Sequence, residues 1–536
     1  MKLRSHTFNL LIAAYFSVFL NFSVLQKLFC SVGFISLKDS LFLLSIPIFF
    51  IAVHNIFFTI FAIPKFEKTF VILNILISSL CSYAIFFYKI LFDYSMFLNI
   101  INTNTGEAQG YISISGFLWL LVLGVVPAIF VMQVRIVHFK FLKDIAYKAM
   151  SIVLSLVAIS IIAFFFLDYY LITARNNHEV KHMLVPKCYL ASTGKYVYEK
   201  TRTPPVHEEI GLDAALKKKT NRKNLIVVIV GETARSANYE LNGYNKPTNK
   251  FTRDLGVISF KDVKSCGTST MYSVPCMFSF LGQENFSRQD ALYQDNVIDV
   301  IKRAGFDILW LENDSGCKGV CNRVENFDIS EIVKNKDKYC EDGTCKDGIF
   351  LENLETQINK LKANNSVLVM HIIGSHGPTY HKRFFEDKAE FFPYCKKNDV
   401  QNCSKEELFN AYDNTILYTD YIMSEVIKTL EKHHDLNTAL VYVSDHGESL
   451  GENGVYLHGI PYAMAPEEQK TVPMILWLSE NILKENRYDK RCLAQKASDM
   501  SFSHDNLPHS LLGITNVQTE VYKSELDILS GCVKAD

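Results

Sequence analysis

Hydrophobic and polar positions divide the chain into two unlike parts. Up to about residue 170, apolar residues fall in long runs almost free of internal charge, at about 8–28, 38–63, 68–90, 113–134 and 149–169. Each run has the roughly 20 residues a helix needs to cross a hydrocarbon core. One such run alone reads equally well as a core helix. Five in succession predict a five-helix transmembrane domain over residues 1–170. The first run is long, lacks a small-residue cleavage pattern and precedes four more, so it reads as a span and not a signal peptide.

Beyond it the pattern changes. Residues 171–222 read as a connector, with the mixed polar His178, Lys181, His182 and Lys187, and Thr203-Pro204-Pro205 interrupting regular structure. From 223 onward short apolar runs alternate with longer amphipathic stretches. The runs 225–230, 258–260, 308–311, 367–373, 439–443 and 472–476 predict buried strands, and 297–304 and about 409–433 predict helices. This alternation predicts a largely parallel α/β sheet covered on both faces, making 223–536 the catalytic domain.

Charge sharpens the division. Lys and Arg total 55 against 56 Asp and Glu, a net charge of −1, which gives no reason to expect nucleic acid as a partner. Nearly all of that charge follows residue 175. In the first part Lys2 and Arg4, Lys65 and Lys68, and Arg135, Lys140, Lys143 and Lys148 occupy alternate loops, and so share one side, the cytoplasm. The opposite loops, near 29–38 and 91–112, carry Asp39, Asp93 and Glu107 with almost no basic residue. An odd number of spans then puts residues 170–536 outside.

The cysteines point to the same compartment. Of 13, Cys30 and Cys81 lie in apolar runs and read as small buried hydrophobes. The other eleven follow residue 187, many in close pairs: Cys266 with Cys276, Cys317 with Cys321, Cys340 with Cys345, and Cys395 with Cys403. Their spacings are too irregular for a structural zinc site, which favours disulfides and an oxidising compartment. Cys188, Cys492 and Cys532 leave room for one more bridge, put here between Cys492 and Cys532.

Sites in parallel α/β sheets gather at the carboxyl ends of strands. Gly231-Glu232-Thr233-Ala234-Arg235 follows the run 225–230, and Ser444-Asp445-His446-Gly447-Glu448 follows 439–443. The run beginning at 367 leads to His371 and then Gly374-Ser375-His376-Gly377-Pro378. A single Asp-His pair is usually a capped loop. Three such clusters at one sheet edge suggest carboxylate and imidazole ligands suited to Zn²⁺ or Mn²⁺. The stretch from Ser265 to Cys276 crowds hydroxyls onto a loop that leads into a predicted helix. Two readings stay open there: the hydroxyls cap the helix, or one is a nucleophile at a helix N-terminus that favours phosphate.

Residues 228–235, 265–279 and 444–454 closely resemble the phosphoethanolamine–lipid A transferases, a family of the alkaline phosphatase/sulfatase superfamily that includes the polymyxin-resistance enzymes. The likeness extends over essentially the whole chain. It implies a bacterial inner-membrane protein with an alkaline-phosphatase/sulfatase-like domain in the periplasm. It also implies that Thr270 is the nucleophile and a metal ligand, with Glu232, Asp445 and His446 around a catalytic Zn²⁺. Lys318, His376 and His458 match residues that hold the phosphoryl group; the two histidines are candidates for acid–base work and for contact with a second zinc. Asn99 and Glu107 match positions that bind the lipid donor, though a plain polar loop is the simpler reading. The implied donor is phosphatidylethanolamine, the acceptor lipid A, and the protein a monomer.

Three rivals remain at this stage. A sulfatase or phosphodiesterase on the same fold is one, but the nearest match to Cys/Ser-x-Pro-x-Arg, Ser273-Val274-Pro275-Cys276-Met277, lacks the arginine. The same chemistry on a core sugar, a flagellar protein or another glycan is the second. A non-catalytic sensor or scaffold is the third.

Overall fold

The computed structural model describes the chain except residues 34–35, 104, 218–219, 342 and 535–536, and leaves the side chain of Glu107 outside the described set. Two compact units result. One comprises Met1–Phe97 and Ile112–Thr201, the other Leu98–Tyr111 and Arg202–Asp536.

Among the described residues, four helices of the first unit are long and apolar enough to cross a membrane: α3 (Leu37–Ile60), α4 (Glu67–Tyr88), α5 (Ile114–Gln133) and α6 (Phe141–Asn176), the last kinked at Phe166. The first predicted span differs. It is a pair, α1 (Ser5–Tyr15, continued by a wide π turn Phe16–Leu20) and α2 (Phe22–Val32), bent by 62°. The break falls at Asn21, whose amide binds elsewhere. It donates to the carbonyls of Phe16 (2.9 Å) and Val185 (2.8 Å) and accepts the Val185 N–H (2.9 Å). His54 reaches the same Val185 carbonyl through Nε2 at 3.0 Å, while its Nδ1 lies 2.8 Å from Ser17 Oγ. A second polar group ties the predicted basic loops together. Glu67 accepts from Ser5 Oγ (2.8 Å) and pairs with His138 (3.1 Å), and Lys148 pairs with Asp144 (2.7 Å). Cys30 is exposed, not buried as expected. A membrane helix turns apolar residues outward toward lipid, so an apolar neighbourhood in sequence does not imply burial in protein.

The second unit is built on an eight-stranded sheet. In chain order its strands are β1 (Lys223–Gly231), β2 (Ile258–Lys264), β3 (Asp307–Glu312), β4 (Glu325–Asp328), β5 (Ser366–His371), β6 (Leu436–Ser444), β7 (Thr471–Leu478) and β8 (Ser501–Ser503). Across the sheet they run β8-β2-β7-β6-β1-β5-β3-β4. Only β7 runs against the rest, pairing antiparallel with β6 and β2. The six predicted strands are all present. The two not predicted, β4 and β8, are short edge strands; β4 is exposed throughout and so carries no apolar run. Strands β5 and β6 are buried along their whole length, as both faces of a parallel sheet are covered. Helices α7 (Thr270–Met277), α8 (Val297–Arg303) and α9 (Lys405–Glu431) belong to this unit. Helix α9 starts on a capping box in which Ser404 and Glu407 exchange side-chain-to-backbone bonds.

The four close cysteine pairs are all disulfides. Cys266 is joined to Cys276, and Cys317 to Cys321. Cys340 is joined to Cys345, across the short strand pair in which the two residues stand opposite each other. Cys395 is joined to Cys403, which precedes the Ser404 cap of α9, so this bridge fastens the chain just before that helix. The fifth bridge joins Cys492 to Cys532, as expected, and Cys188 is a free, buried thiol.

Replacing Asn21 with Ala removes three hydrogen bonds from a buried bend, at about 0.5–1.5 kcal/mol each. Thermal unfolding of the full chain in detergent should show a lower Tm for Asn21→Ala, and an unchanged Tm would contradict the clamp.

Candidate metal and phosphoryl-transfer site

Register decides which residues meet. His371 stands beside Val230 and Glu312, and Ser444 beside Gly231. Glu232, Asp445 and Asp314 therefore leave the sheet from strands β1, β6 and β3 at one edge. The turn that presents Glu232 is strained: Thr233 has φ +54°, a conformation costly for a β-branched residue. Its N–H is held by Asp445 Oδ1 (3.2 Å) and its carbonyl by the Tyr412 hydroxyl (2.7 Å), with the next two N–H groups bound to Ser444 Oγ and Tyr412. Gly374 packs so closely here that a Cβ would lie 2.7 Å from the Glu232 carbonyl oxygen. Only glycine fits at φ +47° against that backbone.

Thr270 opens α7 behind Ser269, which is extended, and the Cys266–Cys276 disulfide ties the loop to the helix. Several hydroxyls of this loop are already committed. Ser265 donates to the Gly267 carbonyl (2.6 Å), Thr268 to Ile460 (2.6 Å) and Ser273 to Asp445 (2.5 Å). Thr270 Oγ1 instead points into the cluster, 3.0 Å from Glu232 Oε2 and 3.4 Å from His446 Nε2. That nitrogen also lies 3.4 Å from Glu232 Oε1 and 3.3 Å from Asp445 Oδ2.

The cluster is dry. Glu232, Asp445 and His446 are fully buried and Thr270 is 7% exposed. Burial first, then the neighbouring Asp445 and Asp314, pushes the Glu232 carboxyl well above the usual range. Burial also raises Asp445. His446 is held well below its ordinary value, by burial and then by His458, and so is neutral. Its Nδ1 meets the Gly447 carbonyl at 2.9 Å, which leaves Nε2 turned toward the carboxylates. Glu232 Oε1 and Asp445 Oδ2 have no hydrogen-bond partner although both are buried. Orphaned carboxylate oxygens, a neutral imidazole nitrogen and a hydroxyl around one point are the donors a four-coordinate zinc takes. These residues fit a divalent cation.

Of the other predicted residues, the structure gathers His376 and His458 here. Their rings lie 5.4 Å apart, and His458 lies 4.5 Å from His446. Burial first, and then His458, drive His376 well below its ordinary pKa. His458 is oriented through Nδ1 by Glu448 at 2.8 Å, and Glu448 in turn accepts from Tyr380 at 2.6 Å. Lys318, in the Cys317–Cys321 loop, donates to the Ser315 carbonyl at 2.7 Å and is close enough to Asp314 to lower its pKa. Asn99 is half-buried in the segment Leu98–Tyr111, which groups with the soluble unit; the side chain of Glu107 lies outside the described residues.

Two contributors were missed. Asp314 has no motif around it and reaches the site only because β3 joins β5. His504, in the loop after β8, accepts the Cys266 N–H at Nδ1 (3.0 Å) and meets the Ser444 carbonyl through Nε2 (2.9 Å). It is completely buried, and that burial lowers its pKa to about 4. It links the hydroxyl loop to the end of β6, and its contact with Cys266 spans 238 residues, which no local pattern announces.

Residues 224–517 match the family model described as Sulfatase, and residues 50–201 match Phosphoethanolamine transferase EptA/EptB. The chain is similar to Phosphoethanolamine transferase EptA of Escherichia coli (strain K12), with 40% identity over 529 residues, 98% of this chain and 96% of that one. It is 33% identical over 471 residues to Phosphatidylethanolamine transferase Mcr-1 of Escherichia coli, covering 85% of each chain. Among solved structures it matches the integral membrane protein lipooligosaccharide phosphoethanolamine transferase A of Neisseria meningitidis, with a TM-score of 0.96, 35% identity and 100% coverage of both chains.

His504→Ala would strand one buried N–H and one buried carbonyl, each costing about 1–3 kcal/mol. Urea unfolding of the full chain should register a loss within that range per group, with the disulfides intact; a variant as stable as the parent would contradict the bridging role.

Proposed function

The chain belongs to the phosphoethanolamine transferase family, and from that premise we propose that it moves phosphoethanolamine from phosphatidylethanolamine onto lipid A through Thr270. It is a multi-pass inner-membrane protein with its alkaline-phosphatase-like domain in the periplasm, where its five disulfides are stable. The observation that carries the proposal is the direction of Thr270 Oγ1, the hydroxyl that donates into the buried carboxylates.

Glu232, Thr270, Asp445 and His446 would hold a catalytic Zn²⁺, with His376 and His458 the residues that would contact a second if one binds there. When bound, zinc supplies a lowered hydroxyl pKa and a counter-charge for the donor phosphate. The remaining work falls to the chain. Glu232 Oε2 accepts the Thr270 proton along the existing hydrogen bond. Thr270 Oγ1 attacks phosphorus, the bond to the glycerol oxygen breaks, and diacylglycerol leaves with a proton delivered from His458, which Glu448 orients. A protonated lipid A phosphate oxygen or a sugar hydroxyl then attacks the same phosphorus and gives its proton to that histidine, the bond to Thr270 Oγ1 breaks, and Glu232 returns the first proton to Thr270. Lys318 would meet the phosphoryl oxygens, and Asn99 and Glu107 the donor lipid. Nothing in this scheme needs a second chain, and the protein would act as a monomer.

Transfer is preferred to hydrolysis because the chain's relatives are transferases. The alternative acceptors share this active site, and the family's relation to lipid A favours that one. Resistance to cationic peptides such as polymyxin would follow from the added ammonium groups.

Expressed in a host lacking this modification, the parent should add the mass of phosphoethanolamine to lipid A. Thr270→Ala should abolish the addition while zinc content, measured by elemental analysis, stays within about twofold. Modified lipid A from Thr270→Ala would sink the assignment, and the added mass on a glycan or protein alone would replace the acceptor.

A further inference from the structure

Glu232 stands in a second group that could hold a cation, with Asp314 and His371, and their ligand atoms all lie within 4.8 Å of one another. His371 ends β5, beside Val230 of β1 and Glu312 of β3. Its ring is oriented in the manner of a metal ligand. Nδ1 lies 2.9 Å from the Glu312 carboxylate, and Nε2 is buried with no hydrogen-bond partner. Metal-binding imidazoles commonly use their other nitrogen in this way, on a carboxylate or carbonyl. Glu312 is itself fixed, by Trp310 Nε1 at 2.9 Å and the Asp314 N–H at 2.9 Å.

Asp314 completes the group. Its side chain is 1% exposed. Oδ2 accepts from Ser315 Oγ at 2.8 Å, while Oδ1 is buried and unpartnered. The nearby ammonium of Lys318 donates to Ser315. Glu232 Oε1, Asp314 Oδ1 and His371 Nε2 are each buried without a hydrogen-bond partner, and one ligand atom from each of the three side chains lies within 4.8 Å of the others, with His371 Nε2 4.0 Å from Asp314 Oδ2. A buried polar atom left unpaired costs about 1–3 kcal/mol, more when charged. Three in one place call for a common partner. Three carboxylates, of Glu232, Asp445 and Asp314, also converge here, with Lys318 and His371 beside Asp314.

We propose that Glu232, Asp314 and His371 form a second divalent-cation site that shares Glu232 with the catalytic zinc and is oriented from behind by Glu312. Two carboxylates and one imidazole suit Zn²⁺ or Mn²⁺, with water completing the coordination. The second ion adds positive charge beside the carboxylates and holds Glu232 in place, which favours entry of an anionic phosphodiester. This inference rests on reading Glu232 as a ligand of the catalytic zinc, and it differs from a second zinc at His376 and His458.

Full-length protein in detergent, stripped with chelator and dialysed against Zn²⁺ or Mn²⁺, should bind two equivalents by elemental analysis. Asp314→Asn and His371→Gln should each bind one, with Tm in the stripped state within a few degrees of the parent to show that they fold. Glu312→Gln keeps all three ligands and should weaken only the second equivalent, by about 10- to 100-fold. Anomalous diffraction should place the second ion between Glu232, Asp314 and His371. Saturation at one equivalent, a second ion at His376 and His458, or two equivalents retained by His371→Gln would overturn the inference while leaving the catalytic zinc standing. No bound metal in the parent would remove both.

Discussion

Like charges buried side by side set the terms for the soluble unit. Glu232, Asp445 and Asp314 are brought to one dry point, where a carboxylate has neither water nor room to turn away. Asp445 and Asp314 add to burial in raising the cost of ionising Glu232, while Lys318 and His371 keep Asp314 ionised. A fold keeps such an arrangement only if other parts hold it in place and something positive meets it. Much of the local architecture serves the first need. The strained Thr233 turn is pinned at both ends, and Gly374 lets the backbone of the His376 loop press directly on Glu232. His504 fastens the hydroxyl loop to the end of β6.

The parallel sheet makes this possible at modest local cost. Strands running the same way in adjacent register deliver their following residues to one edge without any long loop having to search for its place. Glu232, Asp445 and His446 follow their strands within two residues, so the longer segments beyond, such as 372–404 after β5, need not place them. The one reversed strand, β7, lies between β6 and β2, and its partners still run with the rest. The hydroxyl loop after β2 therefore opens on the same edge as the carboxylates.

What the sequence made legible follows from range. Apolar runs of six or so residues identified six strands, because burial on both faces leaves a continuous signal. Glu232, Asp445 and His446 directly follow such runs, so their meeting could be expected from strand order alone. Cysteine pairs separated by ten residues or fewer, such as Cys340 with Cys345 and Cys395 with Cys403, were legible for the same reason: the chain itself keeps the partners close. Choosing Thr270 among its neighbours was not possible from chemistry, since Thr268 and Ser273 carry the same group; the difference lies in which carbonyls those hydroxyls meet across 192 and 172 residues. Asp314 and His504 depend on pairings of the same long range. In the membrane unit, hydropathy located four long apolar helices and the bent pair but could not show the bend at Asn21, because a polar residue in an apolar run does not reveal that its partner is Val185.

The choice of threonine at position 270 fits the same logic of restraint. A branched Cβ restricts χ1, and at the first turn of α7 the side chain is packed to 7% exposure. A serine there would carry the same oxygen with more freedom to turn it toward a carbonyl, as Ser265 and Ser273 have done. Group transfer asks more of a nucleophile than hydrolysis does, because the covalent intermediate must outlast the exchange of one lipid for another without meeting water. A stiff side chain in a dry cluster, with neighbouring hydroxyls tied to backbone carbonyls, meets that demand by geometry. The burial that makes these charges costly is thus the same feature that limits access to Thr270.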